Sequence, residues 1–489
     1  MINKTDSEGR NKIGQMQLFA PEVGIKPSYM RFLQSDLGQL WQSIPFESLA
    51  LSIESSARKQ KAHVPQWGWF DIKGALGFEV LKSYYKGMSD KKVLEMINLN
   101  ESCQWFCFLQ LGTGEQIKDK NLGWRWRAYI GQYMNLDSFN LVQLKSWKSE
   151  LEHPHLRLTD ATAYETHIAY PTSVKLLWKS CEWVYKHISE LGKRLGLGSL
   201  KPQYRHYEEQ ERRQRSYDKS RRKTHAQTRR RIRQLLFWLD KGIGLFKPLL
   251  AMYQQKCQEQ VSVVLRPFKA QKLAYFKTIE QVYKQQKQLF DDPKSKIESR
   301  IVSLHQPHIR PIVRGKEVKK VEFGPKVNML RIGGINLIEK FSFDNFNEST
   351  RFERACSLYD TSTGACRQMG ADAIYATNAN RRFVTKNQIS TCFIPKGKQP
   401  ADEDKKQDQK KARQTIHTIR ATHMEGSFGN EKQHYGLLKI KAKLPQTQLA
   451  SLVCCVLTAN AMTLIGRHKK NKRKQKYKDR PNSPNIRAA

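Results

Sequence analysis

The sequence predicts a mixed α+β protein, and three observations carry that expectation. Apolar side chains recur at helical spacing through the first 150 residues, alternation with period two begins at Leu156 and again at Arg300, and a long basic run with helical spacing separates those two stretches. We therefore expect a helical N-terminal domain over 1–150, a strand-bearing core split between 151–172 and 300–445, and a basic helical insertion over 173–299. A closing helix over 446–465 and a disordered basic tail over 466–489 complete the chain.

In the N-terminal part, Ser35 can cap a helix carrying Leu37, Leu40 and Trp41 that stops at Pro45. A second helix runs from about Asp71 to Gly87, a residue suited to a C-terminal stop. Ser89 caps a third with Val93, Leu94 and Ile97 inward, and Trp105, Phe106, Phe108 and Leu109 continue the apolar density. Short helices in tandem build DNA-reading modules and plain cores alike, and with DNA as the expected partner we read 1–150 as a DNA-binding or dimerisation domain in preference to a scaffold. Cys103 and Cys107 share a helix face beside Trp105 and Phe106, which is a core pattern; the nine cysteines hold no CxxC pair and read as reduced thiols.

At His153 the texture changes. Leu156, Leu158 and Asp160 share parity, so a strand here puts an aspartate on the face of two core leucines. A buried acid is costly unless it is solvated or binds a cation. The helical stretch from Thr172 to about Arg300 is divided by Pro248 and by a turn at Arg266 to Phe268. Between Glu209 and Arg233 it holds eleven Lys or Arg and three acids, a net of +8. Such a bundle binds phosphates on one side, or holds two protomers together as a charged coiled coil. After Arg300 two or three antiparallel strands fit, with turns at Gln306–Pro307, Arg314–Gly315 and Gly333–Gly334. His305 and His308 flank a turn without a nearby carboxylate and read as exposed turn residues. A helix at Asn347 to Leu358, a short strand ending near Asp372, a helix capped at Thr377 and a strand at Ser390 to Pro395 follow. A polar linker then leads to one basic amphipathic helix from Thr415 to Leu444. It carries Glu425 among cations, with Lys432 two turns further along the same face. Gly426 and Gly429 each cost about 1 kcal/mol there, which close approach of a partner would explain.

The charge balance, 86 Lys and Arg against 45 Asp and Glu for a net of +41, favours a polyanionic partner, nucleic acid before membrane surface. No signal peptide is visible and no apolar run reaches the roughly eighteen residues that span a bilayer, so we expect a cytoplasmic protein without a membrane partner.

Asp160 at a strand, Asp372 at a strand end and Glu425 on a helix stand out by context. Oxygen ligands of this kind suit Mg²⁺ or Mn²⁺, and two such ions about 4 Å apart clamp the attacking and leaving oxygens of a phosphodiester. The chain resembles bacterial insertion-sequence transposases of the DDE type. Four ordered segments carry the resemblance: DATAYETHIAYPTSVKLLW from Asp160, HIRPIVRGKEVKKVEFGPKVN from His308, DAIYATNANR from Asp372, and MEGSFGNEKQHYGL around Glu425. SDKKVLEMINLNESCQWFCF, from Ser89, is similar to the family's N-terminal module. Within that type the chain resembles especially the group of the family numbered five that carries a large helical insertion.

The resemblance implies an RNase H-like α/β catalytic core and a metal-binding triad of Asp160, Asp372 and Glu425. It also implies that Lys432, Arg420 and His423 hold DNA, with Arg229, Arg230 and Arg231 of the basic insertion added from the charge pattern. One departure is the MGA before Asp372, where many relatives have a longer aliphatic strand. The implied activity is cutting at element ends and joining to target DNA with two Mg²⁺ or Mn²⁺ ions. The implied partners are double-stranded DNA, as terminal inverted repeats and target, and further copies of the chain as a homodimer or higher oligomer, in a nucleoid-associated setting. Two alternatives remain: a catalytically decayed DNA-binding relative, and a metal-dependent nuclease without strand transfer.

Overall fold

Small polar side chains start the helices where the sequence places them. In the computed structural model, which describes residues 27–197, 201–259, 267–313, 321–397 and 402–478, side chains excepted at 201–206 and 474–478, Ser35 accepts from the Gly38 N–H at 3.1 Å. Asp71 accepts from Gly74 at 2.8 Å and Ser89 from Lys92 at 3.4 Å. Each takes up an amide that the first helical turn leaves unpaired. The N-terminal part forms α1 (Pro27–Gln34), α2 (Asp36–Ser43), α3 (Phe46–Lys59), α4 (Ile72–Tyr84), α5 (Asp90–Leu99), α6 (Glu101–Phe106), α7 (Leu122–Tyr133) and α8 (Leu136–Ser146). Cys103 and Cys107 are buried among them.

Strand β1 (Leu156–Ala163) follows. Then come α9 (Ser173–Leu195), α10 (Lys201–Lys219), α11 (His225–Glu259) and α12 (Ala270–Asp291), and a small antiparallel pair, β2 (Pro311–Val313) with β3 (Val321–Phe323). Pro248 does not divide the helical stretch as expected: it lies inside α11. The expected turns at Arg266 and at Arg314–Gly315 lie outside the described residues.

The chain returns to the first sheet with β4 (Lys326–Ile332) and β5 (Ile335–Ser342), a hairpin turned by Gly333 and Gly334, both at positive φ. A 3₁₀ turn (Glu348–Arg351), α13 (Phe352–Ser357) and α14 (Asp360–Thr363) lead to β6 (Gln368–Gly370), α15 (Asn378–Lys386) and β7. β7 is only Ser390–Thr391, shorter than the strand expected to Pro395. Next are α16 (Glu403–Arg420), a π turn (Ala421–Glu425), α17 (Gly426–His434) and α18 (Pro445–Lys478).

Three expectations for this end of the chain change. The stretch read as a polar linker is helix from Glu403, because Asp402 caps it and its alternating acids and bases suit an exposed helix. The helix around Glu425 ends at His434: Leu437 and Ile440 are buried from the segment beyond it, where Ile440 takes the carbonyl of Glu165 at 2.7 Å. Residues 466–478 continue α18 where an irregular tail was expected; residues 479–489 lie outside the described set.

Contacts divide the chain into two units, Met1–His167 with Pro325–Ala489 and Ile168–Gly324. In the first, the sheet order is β5-β4-β1-β6-β7; β4 is antiparallel to both neighbours, and β6 and β7 run parallel to β1. The fold is thus mixed α+β. α18 packs against α7, α4 and α2 and against β5, burying Leu452, Val453, Leu457 and Leu464. Contrary to expectation, this helix is long and apolar enough to cross a membrane, but 72% of its apolar window is buried inside the unit, as in a core helix. Gly131 permits the crossing of α7 and α18, since a Cβ there would stand 1.9 Å from the Gln446 carbonyl oxygen. The second unit has its own core, in which Leu177, Val184 and Leu191 of α9 meet Leu235, Leu239 and Phe246 of α11 and Ile279 of α12.

Candidate active site

Register brings two of the three acids together. Leu158 of β1 pairs with Gly370 of the parallel β6, so Asp160 and Asp372 each lie two residues past that pair, beyond the carboxyl end of the shared ladder. Open sheets with parallel neighbours place their sites at such strand ends. Both carboxylates are fixed locally, Asp160 by the Ala161 N–H at 2.8 Å and Asp372 by the Ala373 N–H at 2.7 Å. Asp372 caps the 3₁₀ turn Ala373–Tyr375.

One guanidinium lies between them. Arg420, at the end of α16, donates from Nη1 to Asp160 Oδ2 at 3.0 Å, and its Nη2 is 4.0 Å from Asp372 Oδ1. Its side chain is 9% exposed, against 17% for Asp160 and 54% for Asp372. Gly370 makes this approach possible. A Cβ there would meet Leu158 Cδ2 at 2.8 Å, Arg420 Cβ at 3.2 Å and Ile416 Cγ2 at 3.3 Å, so any larger residue requires Leu158 and α16 to shift. The MGA that departs from the family pattern thus has a packing reason.

Burial pushes the Asp160 carboxyl up to about 6. Arg420 and the Ala161 N–H oppose the rise, while Glu348 and Asp372 add to it. Glu348, paired with Lys326 at 2.8 Å, is a further acid in the field of Asp160, at the start of the 3₁₀ turn that packs against the turn capped by Asp372.

Glu425 closes the π turn, which packs against β1 through the same helix that brings Arg420. Met424 and Phe428 face inward while Glu425 is exposed. A Cβ on Gly426 or Gly429 would meet nothing within 4 Å, so no close approach inside this chain accounts for these glycines. Lys432 points back to the sheet, with Nζ 3.3 Å from Thr162 Oγ1 and 5.3 Å from the Tyr164 ring centre. Beside it, the fully buried Glu431 accepts from the Tyr164 hydroxyl and from Asn336 Nδ2 at 2.6 Å, which fixes α17 to β5 and to the residue that follows β1. His423 is exposed; partial burial and the nearby Arg331 and Arg467 hold its pKa down.

In the insertion, Arg230 is exposed and Arg229 lies 4.5 Å over the Phe290 ring. Arg231 corrects the expectation of a DNA contact: it is buried, with its guanidinium bound to Gln210, Gln214 and Gln234, so it is an interior tie. Sequence reasoning missed the inward roles of Arg420 and Glu431. The pattern was available, since Arg420 follows the buried Ile416 by one turn and Glu431 follows Met424 and Phe428 by seven and three residues, but charged residues on an inner face read as surface.

Among the described residues no three His, Cys, Asp or Glu side chains come together as a metal-holding group. The donor chemistry nonetheless fits a hard divalent cation in part: Asp160 and Asp372 supply oxygens and already share one cation, the Arg420 guanidinium, which marks where positive charge is accommodated.

Residues 369–464 match the family described as a transposase DDE domain. The segment includes Asp372, Arg420, Glu425 and Lys432, and Asp160 lies upstream. The resemblance to DDE transposases therefore holds at that level, and it supports a transposase-type function. No curated protein and no solved structure matches the chain.

Proposed function

We propose that the protein is a DNA transposase that cuts at the ends of its mobile element and joins them to target DNA. The observation that carries this reading is the meeting of Asp160 and Asp372, 212 residues apart in sequence, on a single buried cation, with the turn bearing Glu425 packed on the same strand. Asp160, Asp372 and Glu425 are the residues that would hold Mg²⁺ or Mn²⁺, as two ions, which would supply activation of the attacking oxygen and neutralisation of the phosphodiester. Without metal, Arg420 balances the charge of the two aspartates from the place a cation would take. Lys432, two turns beyond Glu425, is placed to bind a DNA phosphate near the end of β1. The partners are the terminal inverted repeats and target DNA, engaged by a dimer or higher oligomer in a cytoplasmic, nucleoid-associated setting.

The test uses a plasmid carrying the gene's own flanking ends, with purified native protein and the Asp160→Asn, Asp372→Asn and Glu425→Gln variants, in Mg²⁺ or chelator. Native protein is expected to give metal-dependent cut and joined products, and each variant to lose both while still binding DNA. Cut ends without joining would make the protein a nuclease, and binding without cutting in every metal would make it a decayed DNA-binding relative.

A further inference from the structure

The helical unit contains a cleft of about 860 Å³ that the proposed reaction does not use. Lys179, Lys186 and Lys193 line it along α9, with Trp183, Tyr207 and Tyr275 between and opposite them. The lysines recur every seven residues, two helical turns, so they stand in a row on one face about 10 Å apart. All three are exposed, and among the described residues none is held in an ion pair.

The rings beside them form a supported platform. Trp183 lies 5.4 Å from Tyr275 with the planes 32° apart, and it is backed by His187 at 3.9 Å, stacked, and by Phe246 and Phe276. Two acids share the cleft with the three lysines, and one of them, Glu182, lies in the field of Lys179. Glu190 is taken up by Lys272 at 2.9 Å and by Arg194 at 2.6 Å. Glu182 is half-buried and its carboxyl pKa is raised by that burial. What the cleft presents is a row of positive charge beside aromatic faces.

We propose that this cleft binds unpaired DNA, with phosphates on Lys179, Lys186 and Lys193 and bases stacked on Trp183 and Tyr275. Three arguments select that ligand, and the choice of DNA over other polyanions rests on the transposase reading above. The lysine row asks for a chain of anions with repeating charge. The aromatic faces ask for flat rings, and stacking a base on such a face contributes about 1–3 kcal/mol. A duplex keeps its base faces inside its own stack, so only unpaired nucleotides can use the platform. The volume agrees, being in the range that encloses a small ligand and too small for a duplex. An acidic peptide would satisfy the lysines but leave the rings without a partner.

The experiment measures fluorescence anisotropy of a labelled five-residue oligothymidylate with the full-length protein. Parallel titrations use an abasic oligomer of the same length, oligoglutamate as competitor, and a duplex carrying the element end. Native protein is expected to bind oligothymidylate at least tenfold more tightly than the abasic oligomer. The triple variant Lys179→Glu, Lys186→Glu, Lys193→Glu is expected to lose at least tenfold more affinity for oligothymidylate than for the duplex. Trp183→Leu is expected to remove most of the preference for oligothymidylate over the abasic oligomer, with circular dichroism confirming that it folds.

Equal binding of the abasic oligomer by native protein would overturn the proposal, as would an oligothymidylate affinity unchanged in the triple variant or competition by oligoglutamate at equal concentration. Metal-dependent cutting of the duplex end, followed in the same native preparation, separates the two ideas: cutting together with any of these results removes the cleft site and leaves the transposase reading standing.

Discussion

Arg420 occupies the position between Asp160 and Asp372 that a bound cation would contest. A guanidinium cannot give up its charge, so it and a metal ion repel each other there. Arg420→Gln, which removes the charge and keeps much of the side chain, is therefore expected to tighten Mn²⁺ binding by about tenfold, or 1.4 kcal/mol, measured by calorimetry on the full-length protein. Weaker binding would show instead that Arg420 serves to order the aspartates. Asp160 makes a second, independent prediction. Its folded pKa, about 6, lies above the ordinary aspartate value of 3.8, so the folded state holds the proton more tightly. The stability this contributes is present below about pH 4 and is lost as the pH rises through 6, a change on the order of 2–3 kcal/mol. Asp160→Asn removes that dependence. Without metal, the variant's thermal midpoint should gain on the native one between pH 4 and pH 7, and an unchanged difference would mean that Asp160 ionises normally.

Among the elements, the helix formed by α16, the π turn and α17 does most to build the site. It carries Arg420, Glu425 and Lys432, and its ends are set by two contacts: Gly370 beneath α16 and the buried Glu431 beneath α17. The π turn lies between them, in the kind of helical irregularity that is frequent at functional sites. Gly370→Val should force α16 away from β6. Overpacking of this kind costs about 1–3 kcal/mol, and the lost contact between Arg420 and Asp160 adds to it. Thermal or urea unfolding measures the loss; a variant as stable as the native protein would show that α16 need not lie close on β6. The spacing of Ile416, Ile419 and Phe428 already made this an amphipathic helix. The same spacing puts Arg420 and Glu431 on its inner face, but a charged residue there reads as surface until the partners that bury it are known.

For the molecule as a whole, the +41 net charge bears on binding more than on fold. If six or more phosphates are contacted, affinity for end DNA should fall by about 10³ or more between 50 and 200 mM salt. A nearly flat response in a filter-binding or anisotropy titration would remove the insertion as a phosphate-binding surface. Part of its charge already has another use: Arg231 is buried against glutamines and Arg229 covers Phe290, so net charge overstates what is offered to a ligand.

Helix starts at Ser35, Asp71, Ser89 and Thr377, the strand at Leu156 and the hairpin at Gly333–Gly334 were legible along the chain, because caps, turns and periodicity are local properties. The fate of Pro248, the run of α18 to Lys478 and the end of α17 at His434 were not, since neighbouring elements override local preference there. Above all, the meeting of Asp160 with Asp372 follows from the pairing of Leu158 with Gly370. Register between strands more than two hundred residues apart depends on which faces are buried together, and only the assembled sheet, with α16 lying on a glycine, brings Arg420 to both carboxylates.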